Sequence, residues 1–182
     1  SDDNINAVAH GYQYLDIPFE RQHKYFDDLP PFIIYGLTLA IHTTLCYGLQ
    51  VILYPKFDSK GFPRLFAKYK PNHFSACADH LKYLAEDPLT KNMNLSFLIS
   101  AGVGGDTLNA ETERTVNEYL KRNGCLYEVV KGYGMTELCA TSVISFRGAN
   151  AIGSVGVPLI SNTIKIVDMD TGKELSYDQI GE

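Results

Sequence analysis

Lys131-Gly-Tyr-Gly-Met-Thr-Glu137 is the stretch from which the fold and the chemistry of this chain can be worked out. It follows a short β-like run at 126–130, so it marks the end of a predicted strand. Tyr133 offers a flat aromatic face on which a purine can stack. Gly132 and Gly134 can adopt φ > 0, and neither has a Cβ that would block the approach of a ligand. These residue types are suited to a nucleotide site.

The two polar residues at the end of this stretch add a hydroxyl and a carboxylate. Thr136 can donate a hydrogen bond to a phosphate oxygen. Glu137, when ionised, can bind a hard cation such as Mg²⁺, which prefers oxygen ligands. The residue types alone leave a second interpretation open, in which the stretch is an ordinary strand-to-loop turn whose Thr and Glu are solvated.

Strands and helices alternate along the chain, with short links between them. The predicted strands cover 49–54, 72–77, 95–101 and 126–130, and the predicted helices cover 4–15, 36–48, 59–70, 79–86 and 109–123. Residues 16–28, which hold Pro18 and mixed charges, are predicted to form a connecting loop. Such alternation is typical of βαβ units, so we expect an α/β fold with a mostly parallel sheet flanked by helices.

Two glycine-bearing turns, at 102–105 and 132–134, each follow a predicted strand directly. Ligands of parallel sheets bind beyond the carboxyl ends of the strands. We therefore expect both turns to lie at the same edge of the sheet. Further along the chain, residues 163–167 alternate as an exposed strand does, and 168–172 form a predicted turn before 173–175. This pattern predicts a C-terminal β-hairpin.

Composition excludes several classes of protein. The chain of 182 residues has 45% hydrophobic and 20% charged residues, which is typical of a globular domain. A net charge of −5 and the absence of a basic block argue against nucleic-acid binding. The most apolar run, 32–53, is interrupted by polar residues, so a membrane span is not expected. Four irregularly spaced cysteines fit reduced thiols of a cytoplasmic protein better than a disulfide framework or a zinc site.

Four segments, in the same order along the chain, resemble motifs of the adenylate-forming (AMP-binding) enzymes, the superfamily of acyl-CoA synthetases, peptide-synthetase adenylation domains and luciferases. Tyr133-Gly-Met-Thr-Glu137 resembles their YGxTE motif, and Leu98-Ile-Ser-Ala-Gly-Val-Gly-Gly105 resembles their glycine-rich turn. Pro30-Pro-Phe-Ile-Ile-Tyr-Gly36 and Gly153-Ser-Val-Gly-Val-Pro158 match two further segments. The resemblance identifies the chain as a central fragment of the large N-terminal domain, with 1–157 in its α/β subdomain and 158–182 beginning the barrel-like β subdomain.

The resemblance also implies a reaction and its cofactors. A carboxylate attacks the α-phosphate of ATP, an acyl-adenylate forms, and a thiol of coenzyme A or of a carrier pantetheine accepts the acyl group. By position, Gly102, Val103 and Gly104 would form one wall of an adenine slot, and Tyr133 with Gly134 the other.

Catalytic roles follow from the resemblance in the same way. Thr136 would contact the α-phosphate, and Glu137 would bind Mg²⁺ at the reacting phosphate. Members of the family also contain a phosphate loop before the region matched here, and a ribose-binding aspartate and a catalytic lysine after it. Because no substitute for these parts occurs in the chain, the isolated chain is expected to be inactive.

The substrate class is only partly constrained. Family members commonly have an aromatic residue or a histidine at Ile33, and those that activate amino acids have an aspartate in this region. Ile33 and Ile34 cannot bind an α-amine, which favours a small carboxylic acid without an α-amino group. A carrier-protein ligase and a phenylacetate-type CoA ligase remain open. So do a non-catalytic nucleotide-binding or interaction module of the same fold and an unrelated flavodoxin-like domain.

Overall fold

A computed structural model describes residues 1–54, 56, 58–147, 149–160 and 162–182, and in these a sheet of seven strands runs through the chain. The strands are β1 Lys24–Asp27, β2 Gln50–Leu53, β3 His73–Ala76, β4 Ser100–Val103, β5 Val130–Met135, β6 Ala140–Ile144 and β7 Val157–Pro158. The α-helices are α1 Asp2–Tyr12, α2 Thr44–Cys46, α3 Phe62–Tyr69, α4 Ala78–Glu86 and α5 Ala110–Arg122, with a π-helical segment Tyr35–Thr43 before α2 and a 3₁₀ turn Thr136–Leu138 after β5.

The strand order is β2-β1-β3-β4-β5-β6-β7. The pairs from β2 to β5 are parallel, and β6 and β7 join them in antiparallel fashion. The predicted α/β fold with a mostly parallel sheet is therefore confirmed. The carboxyl ends of β4 and β5 are adjacent, as expected for a ligand-binding edge.

The two faces of the sheet differ in character. One face carries Phe26, Phe74 and Val103, which pack against α3, α4 and α5 in the main hydrophobic core. The opposite face is covered by α1 and the π-helical segment. There, smaller clusters form around Tyr12, Leu39 and Ile144 and around Tyr25, Ala40 and Leu49.

The predicted loop at 16–28 is wrong at its end, because β1 occupies Lys24–Asp27 and pairs with both β2 and β3. The four residues of this strand include two charged ones, so the sequence shows no apolar run there. Its burial comes from neighbouring strands on both sides. Tyr25 is 4% exposed and Phe26 and Asp27 are fully buried.

Two predicted strands are displaced toward the carboxyl end. The predicted strand at 95–101 is a turn up to Leu98, whose apolar residues fill the main core, and β4 begins only at Ser100. The predicted strand at 126–130 is likewise irregular up to Val129, so Gly132, Tyr133 and Gly134 lie inside β5 rather than in a turn after it. Apolar residues marked the core in both places, whereas the ladder hydrogen bonds are made by the residues that follow.

The predicted helix at 36–48 is confirmed in position but is wound as a π-helix over Tyr35–Thr43. The hydroxyl of Thr43 donates to the Thr38 carbonyl, five residues back, at 2.8 Å. Gly36 is needed at the beginning of this segment because a Cβ there would lie too close to the Pro30 carbonyl oxygen. π-helical turns are rare in proteins, and those that occur are often found at functional sites.

The C-terminal hairpin is present in a short form. Val167 and Glu174 make a single antiparallel bridge, and Leu175 N–H donates to the Ile166 carbonyl at 2.9 Å. No regular strand forms at the beginning of the predicted segment, 163–165. The division at 157/158 stays a prediction, since β7 spans it and pairs with β6.

Two expectations from composition can be compared with the fold. Among the residues that the structure describes, no helix has the length and apolar character needed to cross a bilayer. All four cysteines are free thiols.

The aromatic core predicts a large difference between two phenylalanine variants. Phe66→Ala removes a fully buried ring from the main core and is expected to lower the free energy of unfolding by about 3–5 kcal/mol. The matched control is Phe32→Ala, because Phe32 is 87% exposed and should change stability by about 0.5 kcal/mol or less. Urea denaturation of both variants measures the difference, and similar losses would contradict this assignment of the core.

Asp27 predicts a pH-dependent stability. Its Oδ1 accepts from Leu29 N–H at 3.0 Å, whereas Oδ2 has no hydrogen-bond partner in the described part of the chain. Burial raises the pKa of Asp27 to about 7, a rise assisted by Asp28 and opposed by the Leu29 hydrogen bond. The folded protein therefore holds the proton more tightly than the unfolded chain, where the pKa is about 3.9.

Stability should consequently fall as pH rises between about 4 and 7, by about 1.4 kcal/mol per unit from this group. Asp27→Asn should match the wild type near pH 4 and exceed its free energy of unfolding by a few kcal/mol above pH 7. Denaturant unfolding of both proteins across this range measures the difference. A difference that does not change with pH would show that Asp27 is ionised in the folded protein throughout.

Candidate active site

A cavity of about 210 Å³ lies between the sheet and its α1/π-helix cover, along β4 and β5. All six nucleotide-contacting residues predicted from the sequence line it, namely Gly102, Val103, Gly104, Tyr133, Gly134 and Thr136. Apolar side chains of α1, the 16–19 loop, the π-helical segment and β6 form most of its remaining wall. The expectation that the two glycine-bearing stretches lie at the same edge of the sheet is therefore confirmed.

A second space, a groove of about 490 Å³ with a more polar wall, shares part of this backbone. Its wall includes Val103, Gly105, Gly132, Tyr133 and Gly134, which the first cavity shares. The rest of the groove comes from the link after β4 and from the glycine-bearing loop 153–155. Two binding spaces thus meet at the ends of β4 and β5.

The glycines of β4 permit a close approach of neighbouring backbones. A Cβ on Gly102 would lie 3.0 Å from the Phe74 carbonyl oxygen, and one on Gly104 would lie 3.1 Å from that of Gly132. The Gly104 Cβ would also meet the Tyr35 ring at 3.4 Å. Both distances are tighter than ordinary contacts, so a side chain at either position would push the walls of the cavity apart.

Gly134 has a different use from the one expected. Neither Gly132 nor Gly134 has a positive φ, so the expectation of left-handed backbone was wrong. Gly134 instead lies at a register shift between β5 and β6, where a Cβ would collide with the Ala140 carbonyl. The positive φ values occur just after the motif, at Cys139 and Ala140 (57° and 100°), which are unusual positions for residues with a side chain.

The residues of the motif differ in exposure. The Tyr133 ring is 46% exposed and faces both spaces, which leaves an aromatic face available for a ligand. Thr136 lines the cavity at the first position of the 3₁₀ turn. Glu137 is exposed and lines neither space, so the structure does not bring it to the cavity wall.

A buried ion pair supports the groove from beneath. Lys131 Nζ contacts Glu113 Oε1 of α5 at 2.6 Å and donates to the Ala151 carbonyl at 2.7 Å. The second carboxylate oxygen of Glu113 accepts from Gly153 N–H at 3.0 Å. Glu113 is fully buried and Lys131 is 5% exposed. The pair therefore joins β5, α5 and the 151–153 loop, and sequence reasoning missed it because the partners are 18 residues apart.

The cavity wall also contains hydroxyl groups that the sequence did not single out. Tyr12 donates to Thr141 Oγ1 at 3.2 Å, and the Tyr25 hydroxyl bonds with Ser75 Oγ. Burial raises the pKa of the Tyr12, Tyr25 and Tyr35 phenols well above their ordinary value, so these groups stay protonated and available as donors. Only Tyr35 carried a signal, because it lies in the segment 30–36 that also supplies Ile33 and Ile34 to the wall.

The family profile of AMP-binding enzymes matches residues 2–182. The chain belongs to this family. The resemblance found in the four motifs is therefore confirmed, and an unrelated flavodoxin-like domain is excluded. The candidate site lies where the two segments that resemble family motifs, the glycine-rich turn and the Tyr133 stretch, come together.

Curated relatives in the family include several CoA ligases. The chain is 30% identical over 180 residues to the probable 4-coumarate–CoA ligase 1 of Dictyostelium discoideum, covering 97% of this chain and 32% of that protein. It is 29% identical over 164 residues to the long-chain-fatty-acid–CoA ligase of Bacillus subtilis, covering 90% and 28%. The chain thus spans about a third of the length of these relatives.

Solved structures show the same fold. Apo MatB from Rhodopseudomonas palustris superposes with a TM-score of 0.82 at 24% identity, covering 100% of this chain and 34% of that one. The O-succinylbenzoate coenzyme A synthetase MenE of Bacillus subtilis, in complex with AMP, superposes with a TM-score of 0.75 at 25% identity, covering 98% and 35%. This chain has the same α/β architecture as the matching parts of these structures.

The buried ion pair predicts a large effect of a small change. Glu113→Gln keeps the shape of the side chain but leaves the Lys131 charge buried without its counter-ion, and should lower the free energy of unfolding by about 3–5 kcal/mol. Glu111→Gln, on the exposed side of the same helix, is the control and should change it by about 0.5 kcal/mol or less.

The double variant Lys131→Met/Glu113→Gln removes both charges and should be less destabilised than Glu113→Gln alone, because no unpaired charge remains. Chemical denaturation of the wild type, Glu113→Gln, Lys131→Met and the double variant gives the coupling free energy between the two charges. If the double variant loses the sum of the two single losses, the ions do not interact.

Proposed function

We propose that this chain supplies the central part of an ATP-dependent ligase that activates a carboxylic acid as an acyl-adenylate and transfers it to a thiol, most simply as an acyl-CoA synthetase. The observation that carries the proposal is the pair of spaces that meet at one glycine-rich backbone junction, a mostly apolar cavity and a more polar groove. A reaction that joins an acid to a nucleotide needs two such spaces in contact, because its reactants must meet in line at phosphorus.

The more polar groove fits the adenosine part of ATP or AMP. Tyr133 offers a half-exposed ring for stacking, and Gly132 and Gly134 let a purine approach the backbone without a Cβ in the way. Val103 and Gly105 form the opposite wall in the structure, and Gly102 and Gly104 lie beside them on β4 or directly after it. The residues present are thus compatible with a nucleotide, and ATP would supply the activated phosphate and the pyrophosphate leaving group.

The mostly apolar cavity fits the acid. Its wall is mostly apolar and aromatic, and its hydroxyls are largely paired with one another, so it suits a compact acyl group rather than a charged one. Ile33 and Ile34 on its wall cannot bind an α-amine, which favours an acid without an α-amino group. The carboxylate would then lie toward Thr136, at the end of the cavity next to the groove.

Thr136 and Glu137 have the chemical types needed at the reacting phosphate. The Thr136 hydroxyl lines the cavity and can donate to an α-phosphate oxygen or to the acyl-phosphate oxygen. Glu137 is solvent-exposed one residue further on and can contribute one carboxylate to Mg²⁺. No group of three or more His, Cys, Asp or Glu forms a metal site in the described part of the chain. This fits an ion held by a single carboxylate together with nucleotide phosphates and water.

Other parts of the ligase are assigned to polypeptide outside the region matched here. The relatives are about three times as long as this chain, and we propose that the remaining two thirds provide the triphosphate cradle, the catalytic lysine and the site for coenzyme A or carrier pantetheine. Four free thiols favour a reducing compartment, so we place the enzyme in the cytoplasm.

The proposed reaction is tested by pyrophosphate exchange. The complete polypeptide that carries this chain should incorporate labelled pyrophosphate into ATP only when a suitable carboxylic acid is present. Residues 1–182 alone should show no exchange. Acid-independent ATP hydrolysis without exchange, or exchange by the 182-residue chain, would contradict the proposal.

Tyr133 predicts the nucleotide affinity. Tyr133→Ala removes the stacking surface and should weaken AMP binding by about 1–3 kcal/mol, the range for a base stacked on an aromatic ring. Tyr177→Ala is the control, because Tyr177 is 96% exposed and lies outside both spaces. Calorimetric titration with AMP measures both variants, and an unchanged affinity in Tyr133→Ala would place the purine elsewhere.

Glu137 predicts the dependence on Mg²⁺. Glu137→Gln removes the carboxylate charge but keeps the side-chain length, so the Mg²⁺ concentration that half-saturates ATP binding should rise about tenfold, as expected for loss of about 1.4 kcal/mol from one ligand. Glu111→Gln serves again as a surface control. Calorimetric titrations with ATP at several Mg²⁺ concentrations provide the measurement, and an unchanged Mg²⁺ dependence would remove Glu137 from the metal site.

A further inference from the structure

Three polar side chains form a row across the cavity face of the parallel sheet. Tyr25 of β1 is in register with His73 of β3, which is in register with Ser100 of β4. In-register residues of neighbouring strands project from the same face. His73 is fully buried, and Ser100 is 6% exposed and lines the cavity. A buried imidazole behind a cavity serine has no part in the chemistry proposed so far.

The imidazole connects Ser100 to the protein surface. His73 Nδ1 lies 2.9 Å from Ser100 Oγ, and its Nε2 lies 3.1 Å from His23 Nδ1. His23 Nε2 lies 3.6 Å from the carboxylate of Glu20, which is largely exposed. The ring of Phe19 packs on His73 at 4.9 Å between centroids and separates it from solvent. The result is a chain of polar contacts from Glu20 to the cavity.

The direction of every hydrogen bond in this chain is fixed by one backbone group. Glu20 N–H donates to His23 Nδ1 at 3.3 Å, and a backbone N–H can only donate. His23 Nδ1 is therefore an acceptor whose single lone pair is shared by two donors, and the hydrogen on the His73–His23 contact belongs to His73 Nε2. A neutral imidazole carries only one N–H, and Nδ1 of His73 must then accept from the Ser100 hydroxyl.

His73 has to be neutral for this assignment, and its surroundings keep it so. Burial, together with the neighbouring His23, lowers the pKa of His73 to about 3. A protonated ring would place N–H groups toward both neighbours, and among the described residues neither of its nitrogens contacts a carboxylate that would balance the charge.

We propose that Ser100 is a specificity-determining residue, held by the Glu20–His23–His73 chain as a hydrogen-bond acceptor that selects acids bearing a hydroxyl or N–H group on their acyl part. Ser100 Oγ uses its hydrogen on His73, and no other hydrogen bond to this oxygen occurs in the described residues. Its remaining lone pair is therefore available to a donor on a molecule bound in the cavity. This inference rests on the proposed function, in which the cavity holds the acid.

The same orientation sets which way the acid lies. A carboxylate only accepts hydrogen bonds, so two acceptors would oppose each other if it lay against Ser100. Ser100 begins β4, and Val103, which borders the nucleotide groove, ends it about 10 Å away along the extended strand. The donor group of the acid thus lies at the inner end of the cavity and its carboxylate at the outer end, beside Thr136.

The first test measures the tautomers directly. Residues 1–182 are labelled with ¹⁵N at histidine, and two-bond N–H correlations at neutral pH identify the protonated nitrogen of each ring. His73 should be the Nε2–H tautomer with Nδ1 unprotonated, and His23 should also carry its hydrogen on Nε2. In His23→Leu, which removes the acceptor, the His73 ring should shift toward the Nδ1–H tautomer. A wild-type His73 that already carries its hydrogen on Nδ1 overturns the proposal.

The second test measures specificity in the complete polypeptide that carries this chain. The probes are benzoic acid and its ring-hydroxylated and ring-fluorinated derivatives, compared by kcat/KM for acid-dependent pyrophosphate exchange. A correctly placed hydroxyl should raise kcat/KM about tenfold over fluorine at the same ring position, since one added hydrogen bond contributes roughly that factor. Ser100→Ala and His23→Leu should bring this ratio close to one without abolishing exchange.

Ser142→Ala is the matched control, because it also removes a buried serine hydroxyl but lies outside the cavity, and it should keep the ratio. A ratio unchanged in Ser100→Ala overturns the proposal while leaving the ligase function standing. Absence of exchange with every acid, despite AMP binding, overturns the assignment of the cavity to the acid and the selectivity of Ser100 with it.

Discussion

The fold depends on a change of partner within a single strand. The first two residues of β5 pair in parallel with β4, through Val130 and Lys131, and the next four pair in antiparallel fashion with β6. β4 ends at Val103, so the parallel ladder stops at Lys131, although the two backbones stay close: a Cβ on Gly104 would lie only 3.1 Å from the Gly132 carbonyl oxygen. Both binding spaces meet at this junction, where Gly132, Tyr133 and Gly134 line both of them.

Lys131 lies at this junction and connects it to two other elements. Its backbone is the last to pair with β4, while its side chain crosses the core face to Glu113 and the 151–153 loop. The loop becomes a wall of the groove only because these buried hydrogen bonds hold it there. A buried ion pair contributes little net stability when compared with apolar packing, and its value here is the fixed position of three elements.

The edge of the sheet could be predicted from the amino-acid sequence more readily than its interior. The glycine and Tyr133 stretches could be predicted because local residue types and their place after apolar runs carry that information. β1 could not, since three of its four residues are buried by strands that come later in the chain. The Tyr25–Ser75 and Lys131–Glu113 contacts join residues far apart in sequence, and no local periodicity signals them. The displaced starts of β4 and β5 have the same origin, because apolar residues report burial rather than ladder hydrogen bonds.

The two faces of the sheet divide stability and recognition between them. Alternate residues of the same strands point to opposite sides, so Phe26, Phe74 and Ala101 enter the aromatic core while Tyr25, His73 and Ser100 face the cavity side. A polar row of this kind is costly unless every group finds a partner, and here each imidazole nitrogen of His73 has one. The exception is the oxygen of Ser100, whose remaining lone pair faces the cavity. A buried network that is complete except at one atom directs its single unmet hydrogen bond at whatever enters the cavity.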